Sequence, residues 1–113
     1  MIKLKENYEF RRAYNKGERF VSSGFVMYAV KGRKDKVRLG IKEKKKIGGA
    51  VKRNRAKRVI TAAFRNCLKN IAVGYDFVIV ARTKVLELKS TQIQETLKKQ
   101  LKAADMWVGD GND

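Results

Sequence analysis

The chain has 113 residues, 43% of them apolar, so it is one domain able to bury a core of its own. Its 28 Lys and Arg against 11 acids give a formal charge of +17, far beyond the about 2 to 8 that keeps a small domain soluble, and point to a polyanionic partner, nucleic acid before an anionic membrane. One cysteine and no histidine exclude an internal disulfide, a cysteine-cluster metal site and any Ser-His or Cys-His nucleophile.

Residues 6 to 16, ENYEFRRAYNK, place Phe10, Ala13 and Tyr14 at helical spacing and stop at Gly17, a helix terminator. GFVMYAV (24–30) is β-branched and aromatic. VRLGIK (37–42) alternates Val37, Leu39 and Ile41 with Arg38, Gly40 and Lys42; across the polar KGRKDK the two segments predict an antiparallel hairpin, with the basic face of its second strand outward. From about residue 50 to 71 the apolar set Ala56, Val59, Ile60, Ala63, Phe64, Cys67, Leu68 and Ile71 recurs at i, i+3, i+4 and i+7, the strongest periodic signal in the chain. Arg55, Arg58, Arg65 and Lys69 form a cationic stripe opposite, and Arg53 and Lys57 overhang the core at the N-terminal end. YDFVIVAR (75–82) is apolar at both parities, as in a central strand covered on both faces. Thr91 and Gln94 suit a capping box ahead of a last helix with Ile93, Leu97, Leu101 and Ala104 on one face.

The order α-β-β-α-β-α gives an α+β sandwich, helices packed on a mixed sheet of three to four strands, with residues 37–42 and 75–82 a parallel pair joined through the long helix. No proline, repeat or linker divides it, so residues 1–113 are expected as a single RNA-binding domain, 106–113 forming a tail that can fray; Trp107 is expected to pack back. No apolar run approaches the roughly 18 residues of a membrane span and no signal-like stretch opens the chain, which makes the cytoplasm the expected compartment. Glu6, Glu9, Glu87, Glu95, Asp105, Asp110 and Asp113 are scattered and are expected as solvated surface groups, which speaks against a carboxylate-and-metal nuclease.

The start of the long helix carries the functional signal. Cations near a helix N-terminus oppose the macrodipole, typically by a few tenths to 1 kcal/mol each, yet Lys52, Arg53, Arg55, Lys57 and Arg58 crowd there. The same N-terminus offers unpaired N–H groups to phosphate, and guanidinium forks reinforce them, so the arrangement makes sense with an anion bound. KEKKKIGG (42–49) brings further lysines, and Gly48 and Gly49 allow close backbone approach. Phe10, Tyr14, Val26 and Tyr28, with Arg11 and Arg12 beside them, can line a groove in which unpaired bases stack; the same positions also suit an ordinary core.

KKIGGAVKRNRAKRVITAAFR resembles the signature of the bacterial ribonuclease P protein component, Lys-Lys-Ile-Gly-Asn-Ala-Val-x-Arg-Asn-Arg-x-Lys-Arg, and the resemblance extends through LKENYEFRRAYNKGERF, FVMYAV, VRLGI, YDFVIVAR and TQIQETLKKQL. It implies a small subunit without catalytic residues that binds a large catalytic RNA, the assembly removing the 5′ leader of precursor tRNA with Mg²⁺ held mainly by the RNA. It implies that Lys45, Lys46, Lys52, Arg53, Asn54, Arg55, Lys57, Arg58 and Arg65 face the RNA subunit and that Phe10, Arg11, Tyr14, Val26 and Tyr28 form the leader cleft. It implies also a left-handed crossover through the long helix and a free protein that is monomeric. The chain departs from the pattern at Gly49, usually Asn, at Glu43, usually apolar, which leaves the end of the second strand open, and at Thr61, often basic. The alternative of another class is a structural RNA-binding protein of the ribosomal type, which needs no single-strand groove.

Overall fold

The computed structural model describes residues 1–109. Among them are five strands, β1 (Ile2–Lys3), β2 (Glu18–Val21), β3 (Phe25–Lys31), β4 (Val37–Glu43) and β5 (Tyr75–Ala81), and three α-helices, α1 (Asn7–Lys16), α2 (Ala50–Cys67) and α3 (Ser90–Ala103). The sheet order is β1-β4-β5-β3-β2. β4 runs parallel to both β1 and β5, whereas β3 is antiparallel to β5 and β2. The α+β class and the parallel β4–β5 pair across α2 agree with the sequence pattern.

The hairpin expected from residues 24–30 and 37–42 does not form, because β5 lies between those strands. A strand apolar at both parities loses most water where it has a neighbour on each side and a layer on each face, and β5 takes that central place. The KGRKDK segment instead straps across its start, Gly32 N–H donating to Gly74 O at 2.9 Å and Gly74 N–H to Lys36 O at 2.8 Å. The two strands that pattern reading missed, β1 and β2, are short edges with too few residues to show a period.

Strand alternation sends side chains into two unequal layers. Phe25, Met27, Leu39, Phe77 and Ile79 face α2 and α3, where Ile60, Phe64, Leu97 and Leu101 are fully enclosed. Phe64 and Phe77 meet edge to face, centroids 5.6 Å apart. Cys67 lies in this layer, and burial pushes its thiol up to about 11. On the opposite face a small cluster of Leu4, Phe10, Ala13, Val30 and Val78 seats α1. Gly40 makes that seat possible: a Cβ there would stand 2.6 Å from the Phe10 ring.

The long helix gives way at Leu68–Asn70 to a 3₁₀ turn rather than continuing to residue 71. α3 begins at Ser90, and its cap is two residues earlier than Thr91 and Gln94 suggest: Lys89 N–H donates to Gln92 Oε1 at 2.8 Å. Gln94 is used elsewhere, accepting from Asn66 Nδ2 of α2 at 3.3 Å. Met106 is buried, and Trp107 bridges to Ile71 beside Val108 N–H, which donates to Asn70 O at 2.7 Å. Asp110 and Asp113 lie outside the described residues.

Candidate RNA interface

β4 runs through Glu43, and a 3₁₀ turn, Lys45–Ile47, carries the chain to Gly49, the N-cap of α2. Gly49 supplies no capping side chain, and a Cβ on it would touch nothing within 4 Å, so the helix start is open. The first turn holds no acid. Lys45, Lys46, Lys52, Asn54, Arg55, Lys57 and Arg58 are exposed there, Arg53 is half-buried, and among the described residues none of the cations in this group is in an ion pair. Two turns of α2 thus bring residues 52 to 58 together. Arg65, also exposed, stands about 18 Å further along the axis from Arg53, at 1.5 Å per residue. Thr61 adds no charge; its hydroxyl donates to Lys57 O at 2.7 Å.

A second surface lies beside the first. α1 leaves part of its sheet face uncovered, and beside Tyr14 the bare strands form an open cleft of about 640 Å³. Val26 and Val80 are cross-strand partners, as are Tyr28 and Val78, so Val26, Tyr28 and Val80 pave the floor. Tyr14 of α1 makes one wall, its ring edge to face with Tyr28 at 5.0 Å, and burial, then the neighbouring Tyr28, raise its phenol above the usual value. Arg19, Lys44, Lys46, Arg82 and Lys84 line the cleft and no acid does. Arg82 is held in place by donating to Ser22 O at 3.0 Å.

The sequence-derived cleft set is therefore divided. Tyr14, Val26 and Tyr28 converge, but Phe10 is 8% exposed, packed in the cluster under α1 with Lys42 Nζ 4.5 Å above its ring. Arg11 is exposed and not among the lining residues. Lys46, expected with the helix start, reaches the cleft, so the lysine turn joins the two surfaces. Val80, Arg82 and Lys84 were missed because the β3–β5 pairing that brings them to the cleft is long-range, Lys44 because it follows β4, which meets β3 only across β5, and Arg19 because it lies opposite Tyr28 on β2, too short to show a period.

Two further expectations are corrected. Arg38 does not point outward to solvent, and Glu9 is not a solvated acid. Arg38 grips Asp76 of β5 with two bonds, Nε to Oδ1 at 2.8 Å and Nη2 to Oδ2 at 2.6 Å, while its Nη1 donates to Glu9 Oε2 at 2.6 Å. The Asp76 hydrogen bond, against the opposing effect of burial, raises the guanidinium's already high pKa. Burial pushes the Glu9 carboxyl up, but the N–H groups of Glu6 and Lys5 and the Arg38 guanidinium together hold it below the ordinary range. Because the folded value is depressed, the stabilisation is present above the unfolded carboxylate pKa and is lost as pH falls through the folded one. Glu9→Gln should therefore flatten the acid limb of stability: its urea midpoint should change less than that of the natural chain between about pH 5 and 3. Parallel acid limbs would show that Glu9 carries no such linkage.

Guanidinium groups around bare helix N–H donors match phosphates, and an aromatic and aliphatic floor between cations matches the faces of unpaired bases. Fold and surfaces together define a protein of the RNA-binding class. The family model of ribonuclease P matches residues 2–105. The ribonuclease P protein component of Clostridium beijerinckii is 35% identical over 114 residues, spanning 95% of this chain and 91% of that one. Solved ribonuclease P proteins from Staphylococcus aureus and Thermotoga maritima superpose with TM-scores of 0.81 and 0.79 at 34% and 30% identity. They cover 96% and 91% of this chain, and 99% and 97% of their own. The chain belongs to the ribonuclease P protein family, the protein part of the ribonucleoprotein endoribonuclease that processes the 5′ end of tRNA.

Proposed function

We propose that the open start of α2 and the lysine turn before it seat the catalytic RNA, and that the neighbouring cleft holds the single-stranded 5′ leader of precursor tRNA. The observation that carries this reading is the division of labour in side chains. The helix surface is cationic and offers N–H donors, suited to phosphate alone, whereas the cleft adds Tyr14, Tyr28, Val26 and Val80 as platforms for bases. Stacking contributes roughly 1 to 3 kcal/mol per base and phosphate neutralisation is independent of sequence, so the subunit raises affinity for substrate without performing chemistry.

In this reading Mg²⁺ is held by the RNA. Among the described residues no three His, Cys, Asp or Glu side chains gather, and the Asp76 and Glu9 carboxylates are both engaged by Arg38. No helix among the described residues is long and apolar enough to cross a membrane.

The test compares Tyr28→Ala with the natural subunit in holoenzyme reconstituted at low Mg²⁺. Affinity for a precursor with a leader should fall about tenfold, the equivalent of one lost stacking contact, while affinity for leaderless tRNA stays unchanged. Equal weakening of both substrates would remove the leader from the cleft.

A further inference from the structure

We propose that Asp76, clamped by Arg38 and Arg12, is a positioning residue for the leader cleft: it fixes the placement of α1, and with it the Tyr14 wall, against the sheet. The inference rests on the cleft reading above and concerns residues that do not line the cleft.

The apolar seat of α1 is small. Only Phe10 and Ala13 of the helix are buried, resting on Leu4, Val30 and Val78, and two such contacts leave rotation and sliding of a ten-residue helix weakly specified. The ionic contacts supply the missing restraints. Asp76 is 1% exposed near the start of the central strand, on the face that α1 covers. Arg38 holds both of its oxygens from β4 and reaches α1 through Glu9. Glu9 Oε1 meanwhile accepts from the N–H groups of Glu6 at 3.1 Å and Lys5 at 3.3 Å, so the first turn of the helix is tied to the same guanidinium. From the next turn Arg12 Nη1 approaches Asp76 Oδ2 at 3.4 Å, and Arg12 also donates to the Lys31 carbonyl of β3. Three strands and two turns of α1 therefore meet at one carboxylate.

The surroundings are shaped for that carboxylate. A Cβ at Gly32 would lie 2.3 Å from Asp76 Oδ1, so the strap after β3 leaves room for the carboxylate only as glycine. Two cations and two anions balance, which keeps the assembly neutral inside a strongly basic protein. Its reach to the cleft is short: Tyr14 follows Glu9 by five residues, about 7.5 Å of helix, and Arg12 by two. A buried pair of this kind adds little net stability compared with apolar packing, but removing one partner strands the others, and its use is to select one arrangement. Here the arrangement selected is the one in which Tyr14 meets Tyr28 edge to face.

The experiment uses holoenzyme assembled from the full chain and its catalytic RNA, with Asp76→Asn, Glu9→Gln and, as reference, Tyr28→Ala. Three quantities are read: affinity for precursor with a leader, affinity for leaderless tRNA, and affinity of the subunit for the catalytic RNA. Asp76→Asn should reduce the leader-dependent gain about tenfold, and Glu9→Gln about threefold, with the other two affinities unchanged. Should Asp76→Asn fail to fold, the milder Glu9→Gln decides on the same readouts. If Tyr28→Ala abolishes the leader-dependent gain but the network variants keep it, even at reduced thermal stability, the carboxylate is merely structural and the inference is overturned. If Tyr28→Ala itself leaves the gain intact, the cleft reading fails and takes the inference with it.

Discussion

Replacing Arg53, Arg55 and Arg58 together by alanine should remove most of the affinity for the catalytic RNA while leaving the free protein as stable as before, or more so. The two effects have opposite signs for one reason. Cations beside a helix N-terminus oppose its dipole, and alanine is the better helix former, so the isolated domain gains from the change. In the proposed complex RNA reverses the balance: each guanidinium would neutralise phosphate, and each lost contact would lower the slope of log affinity against log salt by about 0.9 on duplex, roughly 2 to 3 for the set. At about 1.5 to 3 kcal/mol per charge-assisted contact, the loss in affinity is on the order of a thousandfold or more at low salt. Filter binding across a salt series and thermal unfolding of the free protein check the two halves separately. A variant that melts earlier and binds with an unchanged salt slope would show that these arginines serve the fold.

The second large effect is expected in the core. Phe64 is fully buried at the centre of the α2 layer and edge to face with Phe77. Truncation to alanine removes a transfer contribution and leaves a cavity, together roughly 3 to 5 kcal/mol, against a total stability of about 5 to 15 for a domain of this kind. The urea midpoint should fall by about a fifth or more, and RNA binding should weaken at both surfaces together. Excess catalytic RNA should recover part of the loss, because a ligand that binds only the folded state stabilises it by mass action. A midpoint within experimental error of the natural chain would place the core elsewhere.

The contrast between these two sites follows what could be read from the chain itself. α2 was legible because its information is local: apolar residues at helical spacing define the buried face, and the crowd of cations at its start, in conflict with the dipole preference, is visible in the sequence as it stands. β5 was legible as a central strand from its two-sided apolar pattern, and followed through, that reading already conflicts with a β3–β4 hairpin, since a central strand must separate two others. The cleft was half legible. Tyr14, Val26 and Tyr28 lie on patterned elements, but Lys44, Val80, Arg82 and Lys84 join them only through the pairings of β5 with β4 and β3, between positions 38 to 56 residues apart, which no local period records, and Arg19 lies opposite Tyr28 on the short β2. Phe10 shows the limit in the other direction: helical spacing placed it on the sheet-facing side of α1 but could not tell the part over Gly40 from the part over open floor. Asp76 was overlooked inside an apolar run because its partners, at positions 12 and 38, are distant in sequence.

Cys67 gives the protein a practical property. A thiol that is 1% exposed and titrates at about 11 is both protonated at neutral pH and out of reach of alkylating reagents, since the thiolate is the reactive form. Its labelling rate therefore becomes a clock for opening between α2 and α3, readable without any added probe. For the same reason, a cysteine engineered at an exposed position such as Thr83 could take a fluorophore selectively in the native background, leaving Cys67 in place.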